Sequence, residues 1–167
     1  MSALDDWRFC PRCAADLDRR DDHLACPACG FRQWANSVPG AQALVERDGR
    51  VLLGRRVFEP AKGLWDLPGG FLHEGERPED ALRRELREET GLDVEPVEWV
   101  GTWNADYDGR VVLCLTWICR VAGGAERAAD DIEELRWFAP DEIPFDALAF
   151  PMFVEILSLW VARQQHP

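Results

Sequence analysis

The sequence predicts an α+β or α/β/α layered domain, preceded by a small cysteine-rich module. Three observations carry that expectation. Apolar runs are separated by Gly-containing turns, two segments of helical period interrupt them, and two Cys-x-x-Cys pairs stand near the amino terminus. The order of elements is strands, helix, strands, helix.

The cysteine pairs are Cys10-Pro-Arg-Cys13 and Cys26-Pro-Ala-Cys29-Gly30, with twelve residues between them. Two such knuckles on a short arm can put four thiolates on one tetrahedral zinc ion. Such a site is closed to a reacting water and therefore structural. Disulfides and unliganded thiols are the alternatives. Gly30 suits the turn after the second knuckle, whereas Ala14 stands in the corresponding place after the first. The expected organisation is a zinc ribbon over 1–38 and a main domain over 39–167. His23 reads as a surface residue of the arm, and Trp7 and Trp34 as packing the ribbon against the main domain. Residues 1–38 hold five Arg and six Asp, so the module carries no basic footprint for nucleic acid. Its expected roles are to staple the terminus, cover an edge of the main domain, or help a homodimer form.

Beyond the ribbon, residues 41–46 and 50–56 flank Arg47-Asp48-Gly49 and read as a β-hairpin. Residues 63–70 read as a loop containing Trp65 and the turn Pro68-Gly69-Gly70. Pro78 suits the first turn of a helix that runs to Thr90, and Gly91 ends it. Residues 94–103 and 110–121 are apolar strands joined across Asp108-Gly109, with Trp103 to Tyr107 read as loop. Cys114 and Cys119, in the second of these strands, read as small buried hydrophobes. Residues 134–138 form another short strand. Phe153, Ile156, Leu157, Trp160 and Val161 fall at i, i+3, i+4, i+7 and i+8, which predicts a closing helix with Pro151 near its start.

Length and composition bound the function. The chain has 167 residues, with 19 basic against 31 acidic side chains and a net charge of −12. That balance suits nucleic acid poorly, because phosphates reward clustered Lys and Arg. The longest apolar stretch, 111–119, has nine residues and is too short to cross a membrane. Residues 1–7 show neither the basic nor the apolar region of a secretory signal. The expectation is a soluble, cytoplasmic protein.

The chemistry concentrates in the first helix. Glu85, Glu88 and Glu89 lie at i, i+3 and i+4, so they share an arc of about 100° on its surface. Like charges at that spacing repel, unless something cationic neutralises them. Arg84, four residues before Glu88, can reach that carboxylate and hold its rotamer. Hard oxygen ligands on a rigid helix suit Mg²⁺ or Mn²⁺. Taken alone, the helix also fits a solvated charged face.

Its surroundings decide between the two readings. Gly70, Glu76, Arg84-Glu85-Leu86, Glu88-Glu89, Gly91 and Leu92 stand at the fixed spacings of the Nudix box. The preceding Trp65-Asp66-Leu67-Pro68-Gly69-Gly70 resembles the strand and loop that lead into that box. From about Pro39 onward the chain resembles the Nudix hydrolases, and the ribbon in front is similar to that of their zinc-ribbon subset. The resemblance implies an α/β/α Nudix sandwich and hydrolysis of a nucleoside diphosphate linked to another moiety. It implies Glu85, Glu88 and Glu89 as metal ligands, helped by a backbone carbonyl of Gly69 or Gly70. Arg84 would orient the glutamates and Glu76 would support the loop. The proton acceptor is left among these carboxylates and four later acids, Asp130, Asp131, Glu133 and Glu134, with a loop-end residue ahead of one locked in the strand.

Substrate contacts are read more loosely. Arg55, Arg56 and Lys62, the one lysine, precede the box and could meet phosphates or be ordinary surface charges. Trp103 and Tyr107 could stack a base, or Trp103 could be core. Glu134 is a further candidate contact, and His73 earns no role. Zinc-ribbon relatives that cleave NADH or remove NAD caps from RNA carry a Ser-Gln-Pro-Trp-Pro-Phe-Pro run after the box. Here the stretch is Val97-Glu-Trp-Val-Gly-Thr-Trp103. The resemblance therefore ranks ADP-ribose first, FAD second and NADH third. A regulator that keeps the fold and binds nucleotide without turnover is the alternative class, disfavoured by the intact glutamates.

Overall fold

The computed structural model describes residues 4–165. They divide into two compact units, one holding the residues up to Val38 together with Asp106–Val112, the other Pro39–Ala105 with Leu113 onward.

In the first unit, β1 (Asp18–Arg19), β2 (His23–Ala25) and β3 (Arg32–Trp34) form a small antiparallel sheet in the order β1-β2-β3. These strands are too short to announce themselves in sequence. Trp34 is 44% exposed and stacks on His23 with ring centroids 5.4 Å apart, and Trp7 is 42% exposed.

In the second unit, β4 (Val38–Arg47) and β5 (Arg50–Arg56) form the expected hairpin, β4 starting one residue before the boundary. Asp48 and Gly49 both take positive φ, 52° and 72°, the two-residue turn whose twist matches that of the strands. The expected loop at 63–70 instead contains two short strands, β6 (Trp65–Asp66) on β5 and β7 (Gly69–Phe71) on β4. Strands of two or three residues are defined by their partners, so the local sequence did not reveal them. Helix α1 (Pro78–Thr90) has its expected bounds, and Gly91 caps it at φ 69°. β8 (Leu92–Tyr107) and β9 (Arg110–Gly124) are longer than expected and meet across Asp108-Gly109, at φ 52° and 71°. The segment read as a loop, Trp103 to Tyr107, is therefore strand. β10 (Ile132–Phe138) and α2 (Met152–Gln164) complete the unit, with short 3₁₀ turns at Pro140–Glu142 and Phe145–Ala147 between them.

The large sheet runs β10-β5-β4-β9-β8. Both faces are covered, which explains why its strands are apolar on alternate residues in both phases. Ala41, Ala43, Val45 and Leu52 point to the α1 side, where Ala81, Leu82, Leu86, Leu92, Val94 and Trp117 pack on them. Leu44, Val51 and Leu53 point to the other side, against Phe153, Ile156, Leu157 and Trp160 of α2. Two polar pairs enter this interior. The Gln42 amide donates to the Thr116 hydroxyl at 2.9 Å, and the Trp160 indole N–H to Glu46 at 2.6 Å. Cys114 and Cys119 are buried thiols, and burial pushes the Cys119 thiol up to about 12. No helix among the described residues is long and apolar enough to cross a membrane.

Two leucines of α2 provide a paired test of this core. Leu157 is fully buried and Leu159 is 52% exposed. Urea unfolding of Leu157→Ala should show a loss of about 2–5 kcal/mol, and Leu159→Ala a change within about 0.5 kcal/mol. Equal losses would mean that α2 does not sit on the sheet by the face described.

Candidate active site

Helix α1 begins as its sequence prescribes, with Pro78 in its first turn followed by Glu79 and Asp80, acids that suit the positive end of the helix dipole. Leu82, Leu86 and Glu89 follow at i, i+4 and i+7, so Glu89 shares the buried face and is only 5% exposed. Glu85 lies at the border, and Glu88 is half exposed.

Arg84 organises the remaining carboxylates. Its Nε and Nη2 donate to the two oxygens of Glu76, at 2.9 and 2.8 Å. Its Nη1 reaches Glu85 at 2.7 Å and Glu88 at 3.2 Å, and its Nη2 also donates to the Phe71 carbonyl at 3.0 Å. The His73 backbone N–H adds a further bond to Glu76 at 2.9 Å. Together, Arg84 first and then this N–H hold the Glu76 carboxyl down at about 2. Arg84 itself is held above its ordinary value by the same carboxylates.

Backbone glycines let the acids approach. A Cβ on Gly70 would lie 2.4–2.6 Å from the Glu85 carboxyl, and one on Gly69 would lie 2.2 Å from the Ala41 carbonyl. Gly69 donates its N–H to Glu89 at 2.9 Å.

The second half of the site is delivered by residues 125–131. The N–H groups of Ala125, Arg127 and Ala129 donate to the carbonyls of Gly91, Thr90 and Glu89, between 2.8 and 3.1 Å. Two of those carbonyls belong to the last turn of α1, which has no partner inside the helix. This lacing sets Asp131 beside Glu89. Burial, and then the charge and contact of Asp131, push the Glu89 carboxyl well above its ordinary range. Burial likewise raises Glu85, although Arg84 opposes it. Among the described residues, Asp131 Oδ1 is the one buried side-chain oxygen or nitrogen without a hydrogen-bond partner. An unpaired buried acceptor is costly and marks a place for a ligand, ion or water. Asp66 on β6 lies close by in an ion pair with Arg56, and burial lifts it to about 6 in spite of that guanidinium.

The structure places the other candidate contacts as follows. Arg56, read as a phosphate contact, is buried, bonded to Asp66 and to the Pro60 carbonyl at 2.8 Å. Glu134 is exposed on β10 and pairs with Arg55 at 3.5 Å. Trp103 packs against the α2-side core, and Tyr107 falls among the residues that cluster with the amino-terminal unit. Lys62 is exposed, with no hydrogen bond or ion pair among the described residues. Asp66 carries no role in the sequence reading, because its approach to Arg56 depends on the pairing of β6 with β5.

The donor set of α1 and Asp131 consists of hard oxygens and fits a hard divalent cation. The orphaned Asp131 Oδ1 and the glycine cradle under Glu85 agree with that fit. The three glutamates themselves do not converge on one point, since Glu85 and Glu88 turn to Arg84 and Glu89 to Gly69. Among the described residues, the one convergent ligand group is Cys10, Cys13, Cys26 and Cys29, whose sulfurs all lie within 4.8 Å of one another. None is in a disulfide. Cys10 and Cys29 are 3.6 Å apart and Cys13 and Cys26 3.5 Å, near the roughly 3.8 Å edge of a tetrahedron with 2.3 Å zinc–sulfur bonds. The two knuckles share one geometry, in which Ala14 and Gly30 both take positive φ, 58° and 72°.

Residues 37–155 match the model of the NUDIX domain. The NAD-capped RNA hydrolase NudC of Pseudomonas aeruginosa is 31% identical over 160 residues, which cover 94% of this chain and 56% of that protein. The chain thus spans little more than half the length of that relative. The ADP-ribose pyrophosphatase of Methanocaldococcus jannaschii is 34% identical over 132 residues, 78% of each chain. A NUDIX hydrolase crystal structure from Nitrosomonas europaea aligns with a TM-score of 0.85 over 95% of this chain and 93% of that one. At 23% identity, that likeness speaks for the fold alone.

The grip of Arg84 on Glu76 has a measurable pH signature. The folded carboxyl, at about 2, lies below its ordinary 4.5, so the unfolded chain binds the extra proton between those values. The stability it contributes is complete above about 4.5 and is lost as pH falls through about 2. The stability difference between wild type and Glu76→Gln, from urea unfolding, should therefore shrink as pH falls across that window. A difference that stays constant would contradict the pairing.

Proposed function

The chain belongs to the NUDIX domain family, and from that premise we propose that it is a metal-dependent hydrolase of nucleoside diphosphate derivatives, with ADP-ribose its preferred substrate. The observation that carries this reading is the gathering of Glu76, Glu85 and Glu88 on one guanidinium, beside a buried Glu89 that contacts Asp131. Such a site repels a diphosphate unless a cation joins them.

Glu85, Glu88 and Glu89, with a carbonyl of Gly69 or Gly70, would hold Mg²⁺ or Mn²⁺. When bound, the ion supplies phosphate neutralisation, polarisation of phosphorus and a more acidic water. Arg84 fixes the rotamers of Glu85 and Glu88, and Glu76 anchors Arg84. Of the four later acids, we assign the proton acceptor to Asp131. It is the one of the four held beside Glu89, whereas Asp130 is exposed and Glu133 and Glu134 lie against Arg55. Attack on one phosphorus breaks the P–O–P bridge, so ADP-ribose and water yield AMP and ribose 5-phosphate.

A second reading, cleavage of NAD-type dinucleotides, is favoured by the Pseudomonas relative, whose match takes in 94% of the chain. Comparing kcat/KM for ADP-ribose, FAD, NADH and NAD⁺ at saturating Mg²⁺ separates the two. ADP-ribose should lead, and a tenfold lead of NADH, about 1.4 kcal/mol in transition-state binding, would reverse the ranking.

The role of α1 can be tested within the same helix. Glu88→Gln keeps size and helix propensity and should lower kcat about a thousandfold with an unchanged thermal midpoint. Glu79→Gln, outside the cluster, should stay within about twofold of wild type. Similar activities in the two variants would reduce the cluster to a solvated face.

For the amino-terminal unit we propose one structural zinc on Cys10, Cys13, Cys26 and Cys29. Protein purified without chelator should contain one zinc per chain by elemental analysis. Cys26→Ser should lose it and melt at a lower temperature, because metal binding is folding free energy in such a site. Zinc-free wild-type protein with the same melting point would refute the assignment.

A further inference from the structure

The loop between β5 and β6, residues 57–63, is unusually well tethered for a surface excursion. Arg56 exchanges backbone bonds across its base, its N–H donating to the Leu64 carbonyl at 3.0 Å and its carbonyl accepting from Gly63 at 2.9 Å. Two side chains of β5 then reach into the loop. Arg55 Nε donates to the Gly63 carbonyl at 3.0 Å and Arg56 Nε to the Pro60 carbonyl at 2.8 Å. Inside the loop Ala61 takes φ 66°, a left-handed conformation that a side chain disfavours and that the tethers impose.

This bracing presents two side chains that the fold does not use. Phe58 is 60% exposed and Lys62 is exposed, and neither has a hydrogen bond, ion pair or ring contact among the described residues. A phenyl ring left in water on a rigid loop is unusual, because apolar surface gains by being covered. Lys62 is the one lysine of the chain. By contrast, the nearby arginines are committed, Arg55 to Glu133 and Glu134 and Arg56 to Asp66.

The loop also leaves from the edge of the acidic centre. The N–H of Val57 donates to the Asp131 carbonyl at 2.8 Å, and the preceding residue carries the partner of Asp66. The base of the loop is thus tied to the segment that carries Asp131 and to the strand that carries Asp66.

Resting on the proposed hydrolase reading, we propose that loop 57–63 is the nucleotide-recognition element, in which Phe58 stacks on the base and Lys62 pairs with a phosphate. Tethering lets both contacts form without ordering the loop on binding, which is where flexible sites lose affinity. Aromatic stacking accepts any base face, so this element recognises nucleotides as a class.

Calorimetry with ADP and with inorganic pyrophosphate, each with Mg²⁺, tests it without turnover. Phe58→Ala should weaken ADP at least tenfold and leave pyrophosphate within twofold. Phe58→Trp should restore ADP binding, and Lys62→Ala should weaken both ligands. Unchanged ADP affinity in Phe58→Ala would overturn the proposal, and so would an equal loss for both ligands, which would mark a structural effect. Failure of the hydrolase reading would appear separately, as wild-type protein that binds ADP through Phe58 but cleaves none of the four dinucleotide-type substrates.

Discussion

Arg84 donates to three carboxylates and a backbone carbonyl at once, and the candidate site takes its form from that guanidinium. Glu76 belongs to the loop after β7, Glu85 and Glu88 to successive turns of α1, and the Phe71 carbonyl to β7 itself. A planar fork with five N–H donors can serve all of them, whereas an ammonium, a compact point charge, cannot reproduce that fixed geometry. The same contact resolves an electrostatic problem. Glutamates at i, i+3 and i+4 repel one another, and burial of Glu85 adds a desolvation cost. Arg84 offsets both, and Gly70 leaves room for the Glu85 carboxyl to come close to β7.

The other half of the site has a different origin. Glu89, Asp131 and Asp66 are gathered by backbone bonds, chiefly the donors of residues 125–129 to the end of α1, and a single guanidinium, that of Arg56, accompanies them. A buried carboxyl in contact with a second carboxyl favours a bound proton or a bound cation. On the proposed reading the second alternative is the working state. The α1 glutamates would then act as ligands while Asp131 handles the proton.

Legibility in the sequence tracks the range of the interactions involved. Asp48-Gly49 and Asp108-Gly109 demand positive φ, and Pro78 and Gly91 bound a helix by local chemistry, so these features were legible residue by residue. The strands β6 and β7 exist only through β5 and β4 and were read as loop. Trp103 to Tyr107 reads as a loop in the sequence, with two aromatics beside polar groups. Its burial alternates strictly, and that period of two was the signal of a strand. In the candidate site, the motif spacing points to the glutamates and Arg84, and Arg84 does bond Glu85 and Glu88. The burial of Glu89 was implicit in its spacing from Leu82 and Leu86. Asp66 and the internal ion pair of Arg56 depend on strand pairing and were not legible from local sequence.

The claim that Arg84 arranges the carboxylates for a divalent ion, and does more than balance their charge, can be tested by measuring Mg²⁺ affinity of wild type and Arg84→Met by calorimetry. Removing a positive charge from beside acidic ligands should by itself tighten cation binding. The account predicts the opposite, a severalfold weaker Mg²⁺ affinity, because Glu85 and Glu88 lose the partner that fixes their rotamers. Equal or tighter binding in Arg84→Met would contradict it.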